Sequence, residues 1–237
     1  MQKSVRELEN AHEGADIWII AAGASMNYVE PSFFDNKITI GVNRVFRKFD
    51  CDYIITKDSR GFEQIKSISS SDTKLVLSKH ESGNLYQGLN HVDFEHYIFE
   101  HPPKPNEQPM LQEIKKGKHR LVVSYSTITS ALHLAAVMGA KNIMICGHDC
   151  GTIDGEATIA DYYGEVKPHQ KTEAKYVQWL GLIEEHTIAV ADTIKREFGC
   201  NVHSLNPFVN FNLEGHSYHP SRASMMLKRD LRTREDK

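Results

Sequence analysis

The sequence predicts an α/β domain with a mostly parallel sheet flanked by helices. Three observations carry that expectation. Four short apolar runs, each entering a turn, lie in the first third of the chain. A stretch of helical period leads into a further run, and a long amphipathic segment leads into another. Short strand-like runs of this kind are hard to bury except in a common sheet.

The first run, IWIIAA at 17–22, meets the turn Gly23-Ala24-Ser25 at once. ITIGV at 38–42, DYIIT at 52–56 and KLVLS at 74–78 repeat the arrangement. Residues 81–120 hold four of the eight prolines, with HPPKPNEQP at 101–109, and are expected to form a loop, a lid or an irregular insertion. LVVS at 121–124 reads as a strand. A helix follows from about Ser126, with Ile128, Ala131, Leu132, Ala135 and Met138 at helical spacing and Gly139 as its stop. NIMICG at 142–147 then reads as another strand, which makes 121–147 a candidate parallel crossover. The longest helix is expected from about Lys171 to Gly199. Its apolar stripe is Val177, Leu180, Ile183, Thr187, Ala191, Ile194 and Phe198, and its solvent face is Lys175, Glu184, Glu185, Asp192 and Lys195. NVHSLNP at 201–207 supplies a last strand and turn, and 221–237 is a charged C-terminal tail.

Composition narrows the function classes. With 237 residues, 40% of them apolar and 25% charged, the chain has material for one α/β domain over 1–237 and is unlike a disordered one. A formal charge of −3 gives no basis for general nucleic-acid binding. The opening MQKSVRELENAHEGAD lacks the apolar stretch of a secretory signal, and no segment reaches the ~20 apolar residues of a bilayer span. A cytoplasmic protein without a transmembrane segment is the expectation. The four cysteines, Cys51, Cys146, Cys150 and Cys200, form no CxxC pair and read as buried thiols rather than zinc ligands or a disulfide frame. The sequence leaves the oligomeric state open, with the long helix a candidate surface for a homo-oligomer.

Candidate ligand residues collect just after the strands. Gly23, Ala24 and Ser25 can offer amides and a hydroxyl to phosphate or ribose oxygens, although the turn is neither GxGxxG nor a P-loop. Asn43 follows the second run and can read a sugar or base through donor and acceptor. Asp58 follows the third and suits a hydroxyl, a divalent ion or a helix cap. Such positions converge on the carboxyl edge of a parallel sheet, where open α/β folds bind ligands. Ser124, Ser126, Thr127 and Thr129 form a hydroxyl cluster at a helix start, with Ser126 and Thr127 the best placed for an anion. Asp149, after Gly147 and His148, reads as a positioning carboxylate; no third ligand stands close enough in sequence for a metal site. Tyr162 and Tyr163 can stabilise charge on a departing phosphate. His186 is the candidate acid or base, with His169 and His148 as rivals.

IWIIAAGAS, ITIGVNRVF, YSTITSALHLAAVMGAKNIMICGHD and the tyrosines before the long helix together resemble the bacterial sialyltransferases of glycosyltransferase family 42 and the related DUF115 group, as an ordered series over roughly residues 16–210. The resemblance implies a single Rossmann-like, GT-A-variant-like nucleotide-binding domain, with a lid in some members. It implies transfer of sialic acid, or another CMP-activated acidic sugar, to a glycan hydroxyl with no metal required. By matching blocks, Gly23, Ala24, Ser25, Asn43, Ser126 and Thr127 would lie at the donor, Tyr162 and Tyr163 would hold the leaving phosphate, and His186 would be the general base. The sequence departs from the pattern at AAGASMN, where a GxGPS-type turn is usual, and at HDCG after the central strand. The DUF115 likeness also implies a second reading, a pyrophosphokinase resembling the 6-hydroxymethyl-dihydropterin enzymes, in which Asp58 and Asp149 would position magnesium and ATP. A noncatalytic nucleotide-binding module is a third.

Overall fold

A computed structural model of the chain describes residues 2–57, 72–80, 95–101, 111–118, 120–150, 156–162 and 173–205. Eight strands form one sheet: β1 (Gln2–Ser4), β2 (Asp16–Ile20), β3 (Ile38–Val42), β4 (Tyr53–Thr56), β5 (Lys74–His80), β6 (His96–His101), β7 (Asn142–Cys146) and β8 (Asn201–Leu205). All seven pairings are parallel, in the order β1-β6-β5-β4-β3-β2-β7-β8. The predicted α/β class with a parallel sheet is therefore the observed one. Two α-helices stand among the described residues, α1 (Thr127–Val137) and α2 (Glu173–Phe198).

Both faces of the sheet are covered, which is why its strands read as unbroken apolar runs. Ile19, Ile55 and Val76 point into the cluster beneath α1 and α2. Their neighbours Ile20, Ile54, Leu75 and Leu77 point the other way, into a cluster closed by Met26, Phe34, Val45, Phe49 and Ile159. The covering on that side comes from short 3-10 turns at Ala24–Tyr28, Pro31–Phe34 and Val45–Arg47. Every residue of α1 is buried. It is a central helix, packed on β2, β3, β4 and β7 and roofed by α2.

Four expectations are corrected. LVVS is not a strand. Its Val122 N–H donates to His133 Nδ1 at 3.1 Å and its carbonyl accepts from Ser130 Oγ at 2.8 Å, so side chains of α1 take the groups a ladder would need. The 121–147 crossover accordingly has no first strand. Within 81–120, read as loop or lid, His96–His101 is strand β6, with Tyr97, Ile98 and Phe99 buried. At the N-terminus the charged opening contributes β1, whose last residue Ser4 caps the 3-10 turn Val5–Leu8: its N–H donates to Glu7 Oε1 at 3.1 Å and its Oγ accepts from the Arg6 N–H at 3.2 Å. Finally, Glu184, placed on the solvent face of the long helix, is only 2% exposed. It sits three residues before Thr187 and seven before Ala191, on the face those two bury. Val177, Leu180 and Lys175 fall where side chains are not described, and the tail 221–237 lies outside the described residues.

Leu132 lies at the middle of α1 and is fully buried. Leu132→Ala is expected to cost about 2–5 kcal/mol, read as a lowered urea midpoint with an unchanged slope. A loss under about 1 kcal/mol would contradict the placement of α1 at the centre of the core.

Candidate functional site

Strand order reverses between β2 and β7: the chain runs outward from β2 to β6, then returns to add β7 and β8 on the other side. Such a switch point splays the connections after the two strands and is where open α/β sheets bind ligands. Here the connections are tied together. Ala21 N–H donates to the Cys146 carbonyl and Gly23 N–H to the Gly147 carbonyl, both at 2.8 Å. Ser25 donates to Asp149 twice, from its amide to Oδ2 at 2.8 Å and from its hydroxyl to Oδ1 at 2.6 Å.

The glycines permit this approach. A Cβ on Gly23 would stand 2.4 Å from Asp149 Oδ2 and 2.4 Å from the Gly147 carbonyl. Gly147 has φ +71°, and a Cβ there would meet Met26 Cγ at 2.3 Å. Asp149 is buried, and loss of water raises its pKa above the usual carboxylate value, with the two Ser25 bonds pulling the other way. The structure thus joins Gly23, Ala24, Ser25 and Asp149 in one buried knot. The Ser25 hydroxyl is committed to Asp149, and Ala24 is 1% exposed.

Asn43 follows β3 with φ +56°, a conformation asparagine tolerates. Its N–H donates to the Ile55 carbonyl at 2.9 Å, and its Oδ1 accepts from Thr56 Oγ1 at 3.2 Å, which joins the ends of β3 and β4. The next residue, Arg44, is buried with its guanidinium 5.9 Å from the Tyr162 ring centre. Tyr162 arrives on a segment docked over the end of β2. Ile159 N–H donates to the Ala22 carbonyl at 3.0 Å, Ala160 N–H donates to Asn27 Oδ1 at 2.7 Å, and Arg47 pairs with Asp161.

The third group surrounds α2. Ser126 caps α1, its Oγ accepting from the Ile128 N–H at 3.4 Å, and Thr127 is buried in the first turn. Tyr125, between two serines, has φ +53°. Ser124 Oγ hydrogen-bonds His186 Nδ1, while the Tyr125 ring stands edge-on to the imidazole at 4.6 Å. His186 is buried, at 3% exposed. Desolvation lowers its pKa, with Glu185 opposing. One residue on, the Thr187 hydroxyl donates to the Ile183 carbonyl at 2.7 Å and so accepts from His148 Nε2, 3.2 Å away. That contact fixes His148 with its proton on Nε2. The His148 ring, enclosed by Thr187 and Cys150, is desolvated, and its pKa falls to about 4.

Of the residues expected at the site, Asp58, Tyr163 and His169 lie outside the described residues. No cluster of three metal-ligating side chains occurs among the described residues, and no helix there is long and apolar enough to cross a membrane. Arg44, Tyr125 and Thr187 were missed. Arg44 alone left a legible signal, a cation two residues after the end of β3.

No family model matches the chain, and no curated protein matches it. Solved structures do. The sialyltransferase CstII from Campylobacter jejuni in complex with the substrate analogue CMP-3FNeuAc superposes with a TM-score of 0.52 at 13% identity, over 86% of each chain. CstII with cytidine-5'-monophosphate gives 0.50 at 13% identity, over 87% of this chain and 86% of that one. An alpha-2,3-sialyltransferase from C. jejuni in apo form gives 0.51 at 12% identity, over 95% and 87%. At such identities the likeness establishes a shared fold.

Ser25→Ala should remove the hydroxyl donor to Asp149 Oδ1 and leave the buried carboxylate with the backbone amide of residue 25 alone, at a cost of about 1–3 kcal/mol. The cost depends on pH with a defined sign. Because the folded-state pKa of Asp149 is raised, its ionisation penalises the folded state; that penalty is absent below the unfolded pKa, grows between the unfolded and the folded pKa, and is complete above the folded one. Thermal melts of the variant and the parent should therefore lie close together in acid and diverge towards neutral pH. A gap that does not change with pH would rule out Asp149 as its source.

Proposed function

We propose that this protein is a glycosyltransferase that moves a sugar from a CMP-activated donor, sialic acid or a related acidic sugar, to a hydroxyl of a glycan acceptor. The observation that carries the reading is His186: a histidine kept neutral by burial and held at Nδ1, beside the start of α1, in a fold shared with CMP-complexed sialyltransferases. The ordered blocks of the sequence support it independently. They run across the same strand ends that the fold brings to one edge.

In this reading the donor phosphate lies near the start of α1, where Ser126, Thr127 and the first-turn amides favour an anion. Asn43 contacts the nucleotide, and the Gly23–Ser25 turn shapes the approach to the phosphate and ribose. His186 removes the proton of the acceptor hydroxyl as its oxygen forms a bond to the anomeric carbon. The bond from that carbon to the phosphate oxygen breaks, and CMP leaves with its charge stabilised by Tyr162 and Tyr163. Arg44, beside Tyr162, places a fixed positive charge next to that tyrosine. Asp149 acts through Ser25 by holding the two switch-point loops together. No metal has a step in this scheme.

Two experiments test it. Calorimetric titration of the full chain with CMP, CDP, UDP, GDP and ATP, each with and without magnesium, should show preferential binding of CMP without magnesium. Magnesium-dependent ATP binding would replace this reading with phosphoryl transfer. With a CMP-sugar that turns over, His186→Ala should lower kcat by about 10²–10⁴-fold and leave the CMP affinity within about a factor of three. Unchanged turnover would remove His186 as the base, and CMP binding without turnover of any CMP-sugar would favour a noncatalytic module.

A further inference from the structure

Ser124 is 1% exposed, and a buried hydroxyl proton left without an acceptor costs about 1–3 kcal/mol. Among the described residues the Ser124 hydroxyl has one hydrogen-bond partner, His186 Nδ1. Three neighbouring acceptors are engaged. The Ser124 carbonyl accepts from the Ser126 N–H, and the Ser126 carbonyl accepts from Thr129 Oγ1 at 2.8 Å. Thr129 Oγ1 in turn accepts from the Ser124 N–H at 3.1 Å. The Nδ1 lone pair is thus what satisfies the Ser124 proton, and the neutral ring then carries its own proton on Nε2. Tyr125, edge-on to the imidazole, supports this ring orientation.

We propose that Ser124 donates its hydroxyl proton to His186 Nδ1 and relays the acceptor's proton to that atom, so that the base of the reaction is the Ser124–His186 pair. The inference rests on the glycosyl-transfer reading above. The step balances: the acceptor O–H proton passes to Ser124 Oγ, the Ser124 proton passes to Nδ1, and the acceptor oxygen bonds the anomeric carbon as the bond to CMP breaks. Ser124 ends neutral and His186 ends as imidazolium. The groups that bear on the ring are Tyr125 from the turn, Glu185 on α2 itself, and His148 through the adjacent Thr187. The depressed pKa of His186 supports the scheme, since an imidazole neutral near pH 7 is the one able to receive a proton.

The test is nitrogen NMR of the full chain labelled at histidine, with the His186 signal assigned by its absence in His186→Ala, alongside kinetics with a CMP-sugar. The neutral ring is expected to be protonated at Nε2 and bare at Nδ1. Ser124→Ala is expected to shift that tautomer balance and to lower kcat by about 10²–10⁴-fold with KM little changed. The double variant with His186→Ala should be no slower than His186→Ala alone, as for groups acting as one unit. Ser124→Thr, which keeps a hydroxyl, should restore the tautomer and most of the turnover, which a merely structural role for Ser124 does not require. A proton on Nδ1, or losses that multiply in the double variant, would overturn the relay. Wild-type turnover in His186→Ala would sink the base assignment itself, whereas a normal loss there with the proton on Nδ1 sinks the relay alone.

Discussion

The reversal of strand order between β2 and β7 forces two connections to leave the sheet side by side, and in this protein they leave in contact. Beyond the last paired residue of β2, backbone bonds from Ala21 and Gly23 reach Cys146, at the end of β7, and Gly147 just after it. Only a chain without a Cβ at position 23 can run so close to the Asp149 carboxylate. Asp149, fixed by Ser25, then sets the course of the backbone that carries His148 and Cys150 towards α2. A single close approach at the switch point therefore decides where the polar residues of both loops stand.

A second constraint is the burial of α1. In a helix enclosed on all sides most polar side chains need partners, and those of α1 fix the segment before it, although His133 Nε2 is left without a hydrogen-bond partner among the described residues. His133 and Ser130 take the backbone groups of Val122, and Thr129 takes the N–H of Ser124. Held this way, residues 122–124 make no ladder and turn sharply at Tyr125. That turn delivers both the Ser124 hydroxyl and the Tyr125 ring to His186. The polar content of α1, which lowers its value as a core helix, is thus what builds one wall of the candidate site.

These two constraints explain which parts were legible in the sequence. IWII, ITIGV, YIIT, KLVLS and NIMIC announced themselves because a parallel sheet covered on both faces needs uninterrupted apolar runs. HYIFEH carries the same apolar centre, but histidine and glutamate at its ends and prolines beyond them mask it. LVVS looked like its neighbours and is not a strand, because local apolarity says nothing about who takes the backbone hydrogen bonds. Glu184 defeated the face assignment for the same reason that a buried charge defeats any hydropathy argument. Among the site residues, position after a strand found Gly23, Asn43 and Asp149. The Ser124–His186 and His148–Thr187 contacts join residues 62 and 39 positions apart, and no local pattern encodes them.

The electrostatics of the edge have a common direction. Burial lowers the pKa of His148 and His186 and raises that of Asp149, so each shift favours the uncharged form. Near neutral pH both imidazoles are then uncharged, each keeping a single ring proton, and Arg44 rather than histidine brings positive charge to this edge. An arrangement of neutral imidazoles, helix-start amides and one buried guanidinium suits a ligand whose phosphate is held by dipoles while a proton moves nearby. It suits less well a reaction in which a triphosphate must be neutralised by a cluster of charges. At 12–13% identity the shared fold cannot choose between these chemistries. In the proposed reading, imidazoles kept neutral at the strand ends are suited to receive a proton from a hydroxyl beside the phosphate.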